Sequence, residues 1–321
     1  MVELAVLSGK GGTGKTSLVG SLAALADNKV LVDCDVDAAD LNLILGANIG
    51  RPHEYSGGKR AFIDAGRCVA CGICLDYCRF GAIRSRIEAQ SIFGEVFLID
   101  EYSCEGCGVC RHFCPEEAID FRDVVSGTWF ISETKYGTLV HANLGIAEGT
   151  SGKLVSLLRR TARSTAEVEG RDLIILDGPP GLGCPVIACM TGADYVLIVT
   201  EPSQSAFHDL DRILTLASHF AIPCGICINK SDINANFSSR IEAYATEKNV
   251  PVLGRFPYDA CVTKAQLAGV PFVEYTDGAM ADQARLLWNN LMDEIRGVSK
   301  KKTESHLSDL TAGKFKDGRP L

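Results

Sequence analysis

The stretch SGKGGTGKTS, Ser8 to Ser17, constrains this chain more than any other. It follows a short apolar run, Leu4 to Ser8, and leads into residues of helical character, Thr16 to Ala26, after which Val30 to Asp33 reads as a second strand. That is a βαβ unit with a glycine-rich turn between strand and helix. Gly9-x4-Gly14-Lys15-Thr16 fits the P-loop pattern in the place where the physics needs it. Glycines let backbone N–H groups curl around phosphate, the helix start adds its positive end, Lys15 reaches the terminal phosphates, and Thr16 offers a hydroxyl to Mg²⁺. Gly9, Lys10, Gly11, Gly12, Thr13, Gly14, Lys15, Thr16 and Ser17 are therefore candidate nucleotide-binding residues.

Three later stretches, DLIILDGPPG, ADYVLIVTEP and PCGICINKSD, repeat one design: a continuous apolar run ending in polar, loop-forming residues. Strands of this kind with helices between them predict an α/β fold, a doubly wound and mainly parallel sheet covered on both faces. TWFIS and GTLVHANL alternate like strands, and SGKLVSLLRRTARSTAEV has helical spacing. Met280 to Arg296 sets Met280, Ala284, Leu287, Trp288, Leu291 and Ile295 on one face, with Gly297 as the expected stop. Residues 299–321 have no sustained apolar face and read as a mobile tail with solvated lysines.

Between about Ser56 and Arg122 the texture changes, and cysteines arrive in two groups. Cys68-x2-Cys71-x2-Cys74-x3-Cys78 and Cys104-x2-Cys107-x2-Cys110-x3-Cys114-Pro115 are two copies of the bacterial ferredoxin run. In that pattern three thiolates from one loop grip a [4Fe-4S] cubane and the fourth cysteine reaches the other cluster. Cluster one is then assigned Cys68, Cys71, Cys74 and Cys114, and cluster two Cys104, Cys107, Cys110 and Cys78. Zinc is the rival, but four-ligand sites built from Cys-x2-Cys pairs leave the third and fourth cysteines of each run unexplained. The expected organisation is an ATPase domain of residues 1–55 and 123–298, interrupted by a small α+β ferredoxin-type domain over 56–122. A segment of that size has little core, so the cubanes are expected to staple it as well as serve it. The first run ends Cys78-Arg79 where the second has Cys-Pro, placing a cation near one cluster.

With 321 residues, 46% of them hydrophobic, the chain can bury a sizeable core. Its net charge of −8 and pI near 5.3 give no bulk attraction to nucleic acid or anionic lipid. MVELAVL reads as a strand with no leader, and no run approaches the eighteen or so apolar residues of a membrane span. Fourteen cysteines in a chain expected to be cytoplasmic argue for metal before disulfide.

The doubled lysine of GKGGTGKT resembles the deviant Walker A ATPases, the group of MinD, Mrp and the nitrogenase iron protein. The resemblance implies that Lys10 reaches across an ATP-closed homodimer to the partner's nucleotide. It continues in LVDCDVDAADLNL, where Asp35 matches the switch I aspartate that orients water or the Mg²⁺ surroundings, and in ILDGPPG, where Asp177 matches the switch II aspartate. Lys10, Lys15, Asp35 and Asp177 are thus the catalytic candidates, and Thr16, Asp35 and Asp177 the magnesium candidates. INKSD, Asn229 to Asp232, on the residues alone admits GTP. The resemblance implies that Asn229 contacts adenine and that RFPYD, with Pro257 and Asp259, forms the other base-side loop, which favours ATP. The combined pattern is similar to MinD-superfamily ATPases with an inserted ferredoxin domain.

The expectation is an ATP-hydrolysing dimeric switch coupled to electron transfer through two clusters to an unidentified redox partner. An Mrp-type cluster carrier and a MinD-like positioning switch with redox-sensing clusters are the alternatives. Cys34, Cys184, Cys189, Cys224, Cys227 and Cys261 remain outside the runs. Alternation along a strand sends Cys224 and Cys227 to opposite faces, and Cys184, just after switch II, reads as structural. His208 reads as a helix-start or surface residue.

Overall fold

The computed structural model describes residues 1–87, 95–145 and 151–311, with side chains described to 298. Continuous apolar runs become the strands of one nine-stranded sheet. In chain order its members are β1 (Val2–Ser8), β2 (Lys29–Asp33), β3 (His53–Tyr55), β8 (Gly127–Thr134), β9 (Gly137–Leu144), β10 (Leu173–Pro180), β11 (Tyr195–Thr200), β12 (Cys224–Ile228) and β13 (Val252–Arg255). The spatial order is β13-β12-β11-β1-β10-β2-β9-β8-β3. Strands β13 through β9 run parallel, and β8 and β3 extend the edge antiparallel.

Alternation along each strand divides the core into two layers. On one face Ala5, Val30, Ile174, Val196 and Ile226 meet α5 (Ser151–Glu169), α6 (Cys184–Met190), α7 (Gln204–His219) and α8 (Ala235–Glu247). On the other, Leu4, Leu31, Ile175 and Leu197 meet α1 (Lys15–Leu25), α2 (Leu41–Ile44), α9 (Ala260–Leu267), α10 (Phe272–Tyr275) and α11 (Ala279–Thr311). Burial of β1 and β10 on both faces follows from their central place.

One expectation is corrected here. Gly297 does not stop the last helix, which continues to Thr311. A helix-interior glycine costs only about 1 kcal/mol against alanine, and Gly297 is not among the residues with positive φ that a left-handed cap requires. Residues 299–311 are thus helical, while 312–321 lie outside the described residues.

The cysteine segment leaves the sheet edge as a ribbon. Strand β3 pairs antiparallel with β8, Tyr55 opposite Gly127, and three residues on β4 (Gly58–Ile63) pairs antiparallel with β7 (Ile119–Val124), Gly58 opposite Val124. Ser126 N–H donates to Tyr55 O at 2.7 Å between the two ladders. Beyond the ribbon, β5 (Ile83–Ile87) pairs with β6 (Glu95–Ile99), and the short helices α3 (Ile73–Tyr77) and α4 (Val109–His112) lie within the two cysteine runs, the first ending just before its fourth cysteine and the second one residue short of it. Pairing first with last and second with third gives this segment a pseudo-two-fold plan. Among the described residues its buried hydrophobic cluster is small: Ala61, Cys74, Ile83, Phe97 and Ile119.

Candidate functional site

The turn after β1 brings Gly9–Thr16 to the carboxyl end of the sheet, where ligands bind in open α/β folds. Lys15, on the first turn of α1, is buried, and its Nζ donates to Asp177 Oδ1 at 2.5 Å and to Thr16 Oγ1 at 3.3 Å. Burial pulls the Lys15 ammonium down, but Asp177, with Asp33 and Asp35 behind it, outweighs that and holds it above its ordinary value. Asp177 Oδ2 and Thr13 Oγ1 are buried with no hydrogen-bond partner. Two orphaned oxygens beside a phosphate-type loop fit a Mg²⁺-nucleotide, because a buried acceptor without a partner is costly.

Asp33 and Asp35 end β2 on the same rim and differ in surroundings. Asp33 is fully buried and accepts from Asp35 N–H at 3.0 Å and Leu41 N–H at 3.1 Å, so it braces the loop that carries Asp35. Burial and the charge of Asp177 push its carboxyl well up. Asp35 is half-buried, and burial raises it to about 6 against the pull of Lys15, with Asp177, Asp37 and Asp40 adding to the rise.

Lys10 Nζ pairs with Glu201 Oε1 at 2.6 Å and reaches Ser203 and Ser205 hydroxyls at 3.5 and 3.4 Å. Glu201 also binds Lys230 Nζ at 3.0 Å, and Lys230 donates to Gly12 O at 2.8 Å, tying the phosphate loop to the loop after β11. Glu201, Lys230 and Ser203 were not singled out from the sequence. Only the EP and NKSD positions at strand ends hinted at them. Ser17 Oγ accepts from Gln266 Nε2 at 2.7 Å, so its hydroxyl is engaged toward α9.

Asn229 Nδ2 donates to Thr13 O at 2.7 Å and packs so close to Gly14 that a Cβ there would lie 2.3 Å from it. The loops after β12 and β13 are tied together: Tyr258 N–H donates to Asp232 Oδ1 at 2.6 Å and Ser231 N–H to Phe256 O at 2.8 Å. Pro257 is exposed, and the Asp259 carboxylate caps α9 through Cys261 N–H at 2.8 Å.

In the cysteine segment the thiols gather round two hollows. One is lined by Cys68, Cys71, Cys74 and Cys114, with Phe97 and Ile119 beneath. The other is lined by Cys78, Cys104, Cys107 and Cys110, with Ala61 and Phe121. Ala70 and Gly106, at the same place in the two runs, are both left-handed (φ 55° and 62°), which curls each Cys-x2-Cys loop around its hollow. Ala118 N–H donates to Cys114 Sγ at 3.3 Å. Burial pushes the Cys74 thiol up to about 11, with Cys68 and Cys71 contributing. Among the described residues, no three His, Cys, Asp or Glu side chains converge tightly enough for one metal ion. Each hollow has four cysteines in its lining, the number of thiolates that one [4Fe-4S] group takes.

The residues just before each fourth cysteine, Tyr77 and Phe113, stack with ring centroids 4.1 Å apart and join α3 to α4. They went unread in the sequence, although the aromatic-Cys pair recurs in both runs.

The remaining thiols separate by environment. Cys34, Cys189 and Cys227 are buried, and Cys224 and Cys227 lie on opposite faces of β12. Cys184 is exposed at the start of α6. His208 is exposed beside Asp209 at 3.9 Å. No described helix is long and apolar enough to cross a membrane.

A phosphate loop on a doubly wound sheet, with acids at neighbouring strand ends, defines a P-loop nucleotide-binding protein. The chain belongs to the family of the CobQ/CobB/MinD/ParA nucleotide binding domain, which it matches over residues 4–272. It is 34% identical over 238 residues to the uncharacterized protein MJ0578 of Methanocaldococcus jannaschii, covering 73% of this chain and 80% of that one. It is 24% identical to an uncharacterized ATP-binding protein of the same organism, MJ0547, over 98% of this chain and 97% of that one. An iron-sulfur cluster carrier protein of Pyrococcus horikoshii matches at 26% over 40% of this chain and 47% of its own length. Among solved structures, the septum site-determining protein MinD of Pyrococcus horikoshii, complexed with Mg-ADP, shares the fold. Its TM-score is 0.55 at 17% identity, over 92% of this chain and 98% of that one.

Proposed function

We propose that the protein is an ATP-hydrolysing switch, active as a homodimer, that governs electron transfer through two [4Fe-4S] clusters to a partner protein. The observation that carries this reading is the gathering of eight thiols by fours round two hollows, in a segment joined to a nucleotide-binding sheet by a paired ribbon. Cys68, Cys71, Cys74 and Cys114 would hold one cubane, and Cys78, Cys104, Cys107 and Cys110 the other. When bound, each supplies one-electron redox chemistry at a potential set by its surroundings.

At the sheet end, backbone N–H groups of Gly9 to Ser17 cradle the phosphates, and Lys15 exchanges its carboxylate partner for phosphate oxygen. Thr16, Asp35 and Asp177 would hold Mg²⁺, which supplies charge neutralisation, and Asp35 orients the attacking water. Asn229, already fixed against the phosphate loop, borders the base with Pro257 and Asp259. Lys10 leaves Glu201 to reach the partner's nucleotide.

The test is anaerobic reconstitution followed by EPR of the reduced protein with and without MgATP. About eight irons per chain are expected, with a line shape or reducibility that changes on adding MgATP and does not change in Lys15→Ala. A spectrum indifferent to nucleotide, or the same response in Lys15→Ala, overturns the reading.

A second reading rests on the partial match to iron-sulfur cluster carriers. It predicts that cluster leaves for an apo-protein on mixing. Clusters retained through such mixing favour electron transfer.

A further inference from the structure

Resting on the electron-transfer reading above, we propose that an acidic protein partner docks in a cationic groove along the joint between the cysteine segment and the sheet. There it takes its electron from the cluster of Cys78, Cys104, Cys107 and Cys110.

The groove is made of two adjoining clefts. One, of about 560 Å³, lies between Lys59, Arg60 and Cys104 on the cysteine segment and Lys153, Cys184 and Ile187 on α5 and α6. The other, of about 950 Å³, runs past Tyr55, Ser56 and Gly57 to Arg160, Arg163 and Thr191. Lys153, Ser156 and Ala188 line both, so the two are continuous.

Its charge opposes that of the chain around it. Helix α5 carries Lys153, Arg159, Arg160 and Arg163 and no acid before Glu167, in a chain whose net charge is −8. Lys153 and Arg160 stand about two helical turns apart, on one face. Both are exposed, and they pair with no carboxylate among the described residues. Arg159 and Arg163 are fixed by the buried Glu3, and Asp194 also faces Arg163. The opposite wall adds Arg60, 3.6 Å from Glu101, and Lys59, whose contact with Asp123 at 3.8 Å is exposed on both sides and contributes little. Glu101 and Glu105 are the acids of the described lining.

Together the clefts exceed what a small ligand fills. Val124, Leu157 and Ile187 add apolar lining between the charges, which is the composition of a protein interface with a polar rim. A nucleic-acid strand wants aromatic platforms to stack on, and the one aromatic side chain in the described lining, Tyr55, is buried. Arginines already held by Glu3 lose little freedom when an anionic surface arrives. Cys104 lines one end of the groove, and no cysteine of the other set does. A partner seated there stands against the set that includes Cys104. One electron then leaves the reduced cluster for the acceptor: the cluster is oxidised by one, the acceptor is reduced by one, and no bond is made or broken.

The test titrates labelled decaglutamate, and an equally labelled oligothymidylate, against the iron-loaded full chain by fluorescence anisotropy. Decaglutamate should bind the wild type, and Lys153→Glu with Arg160→Glu should weaken it by about tenfold or more. Raising salt from about 20 to 200 mM should weaken it as well. Lys248→Glu with Arg296→Glu, an equal change of net charge at residues outside the groove, should leave binding unchanged. In stopped flow the dithionite-reduced chain should reduce an acidic flavodoxin, about tenfold more slowly in the groove variant, while reduction of cationic cytochrome c is not slowed. Absent decaglutamate binding, tighter binding of oligothymidylate, equal loss in both double variants, or an undiminished flavodoxin rate in the groove variant overturns this inference and leaves the cluster reading standing. A chain that holds no iron, or a loaded chain that reduces neither acceptor, sinks the electron-transfer reading, and decaglutamate still decides whether the groove takes an acidic chain.

Discussion

Both lysines of the phosphate loop are held by carboxylates, Lys15 by Asp177 and Lys10 by Glu201, so the site carries its cations prepaired. Asp35 stands beside them with its carboxyl raised to about 6 by burial, eased by Lys15 and reinforced by Asp177. A raised carboxyl pKa means that the folded chain resists ionising this group. The penalty is absent below the unfolded value near 3.9 and complete above about 6. Nucleotide-free protein should therefore lose stability as pH rises from roughly 4 to 6, and Asp35→Asn should remove that part of the slope in urea titrations run across this range. The P-loop and the cysteine runs could be read from the sequence because each is a short-range device whose spacing is its geometry. Glu201 could not, because its role arises where the strand-end loop bearing it meets Lys10 and Lys230, and no local pattern records that meeting. Asp259 carries a second duty that its proposed base-side place did not announce, since its carboxylate caps α9.

The pair of helices α5 and α6 depends on one buried charge cluster. Glu3, on β1, takes hydrogen bonds from Arg159 and Arg163 of α5, while Arg159 also grips the carboxyl end of α6. Glu3 and Arg159 are both nearly sealed from water, so removing Arg159 leaves the buried Glu3 carboxylate half-neutralised, with Arg163 on one oxygen, and takes the donor from the Ala188 and Thr191 carbonyls. Arg159→Ala should cost about 3–5 kcal/mol, measured as a lower urea midpoint at unchanged slope. Element identity followed from periodicity wherever a strand was buried on both faces or a helix carried an apolar stripe. The end of α11 did not, since one glycine weakens a helix without ending it unless the backbone turns left-handed there. Strand β3, which pairs antiparallel with β8, was equally hidden, as a three-residue strand has too few alternations to register.

At the scale of the molecule, two cores of unlike strength are joined. The large sheet is covered on both faces by two extensive apolar layers, whereas among the described residues the cysteine segment buries five side chains in its hydrophobic cluster, one of them a cysteine. A core so small needs an added staple, and bound metal contributes folding free energy directly. On the two-cluster reading proposed above, stripping iron with a chelator should therefore open residues 58–124 to protease while the sheet stays resistant, giving a stable fragment pattern on gels. Simultaneous digestion of both parts would contradict this. The ribbon also fixes what kind of addition the segment is. Tyr55 and Ser126 are already hydrogen-bonded neighbours across it, so chain leaves and rejoins the sheet at a single point. A short turn laid across that point would close β3 and β8 into an ordinary hairpin with no other strand rethreaded. The cysteine segment is in this sense a detachable cassette, and the same joint could accept a different one.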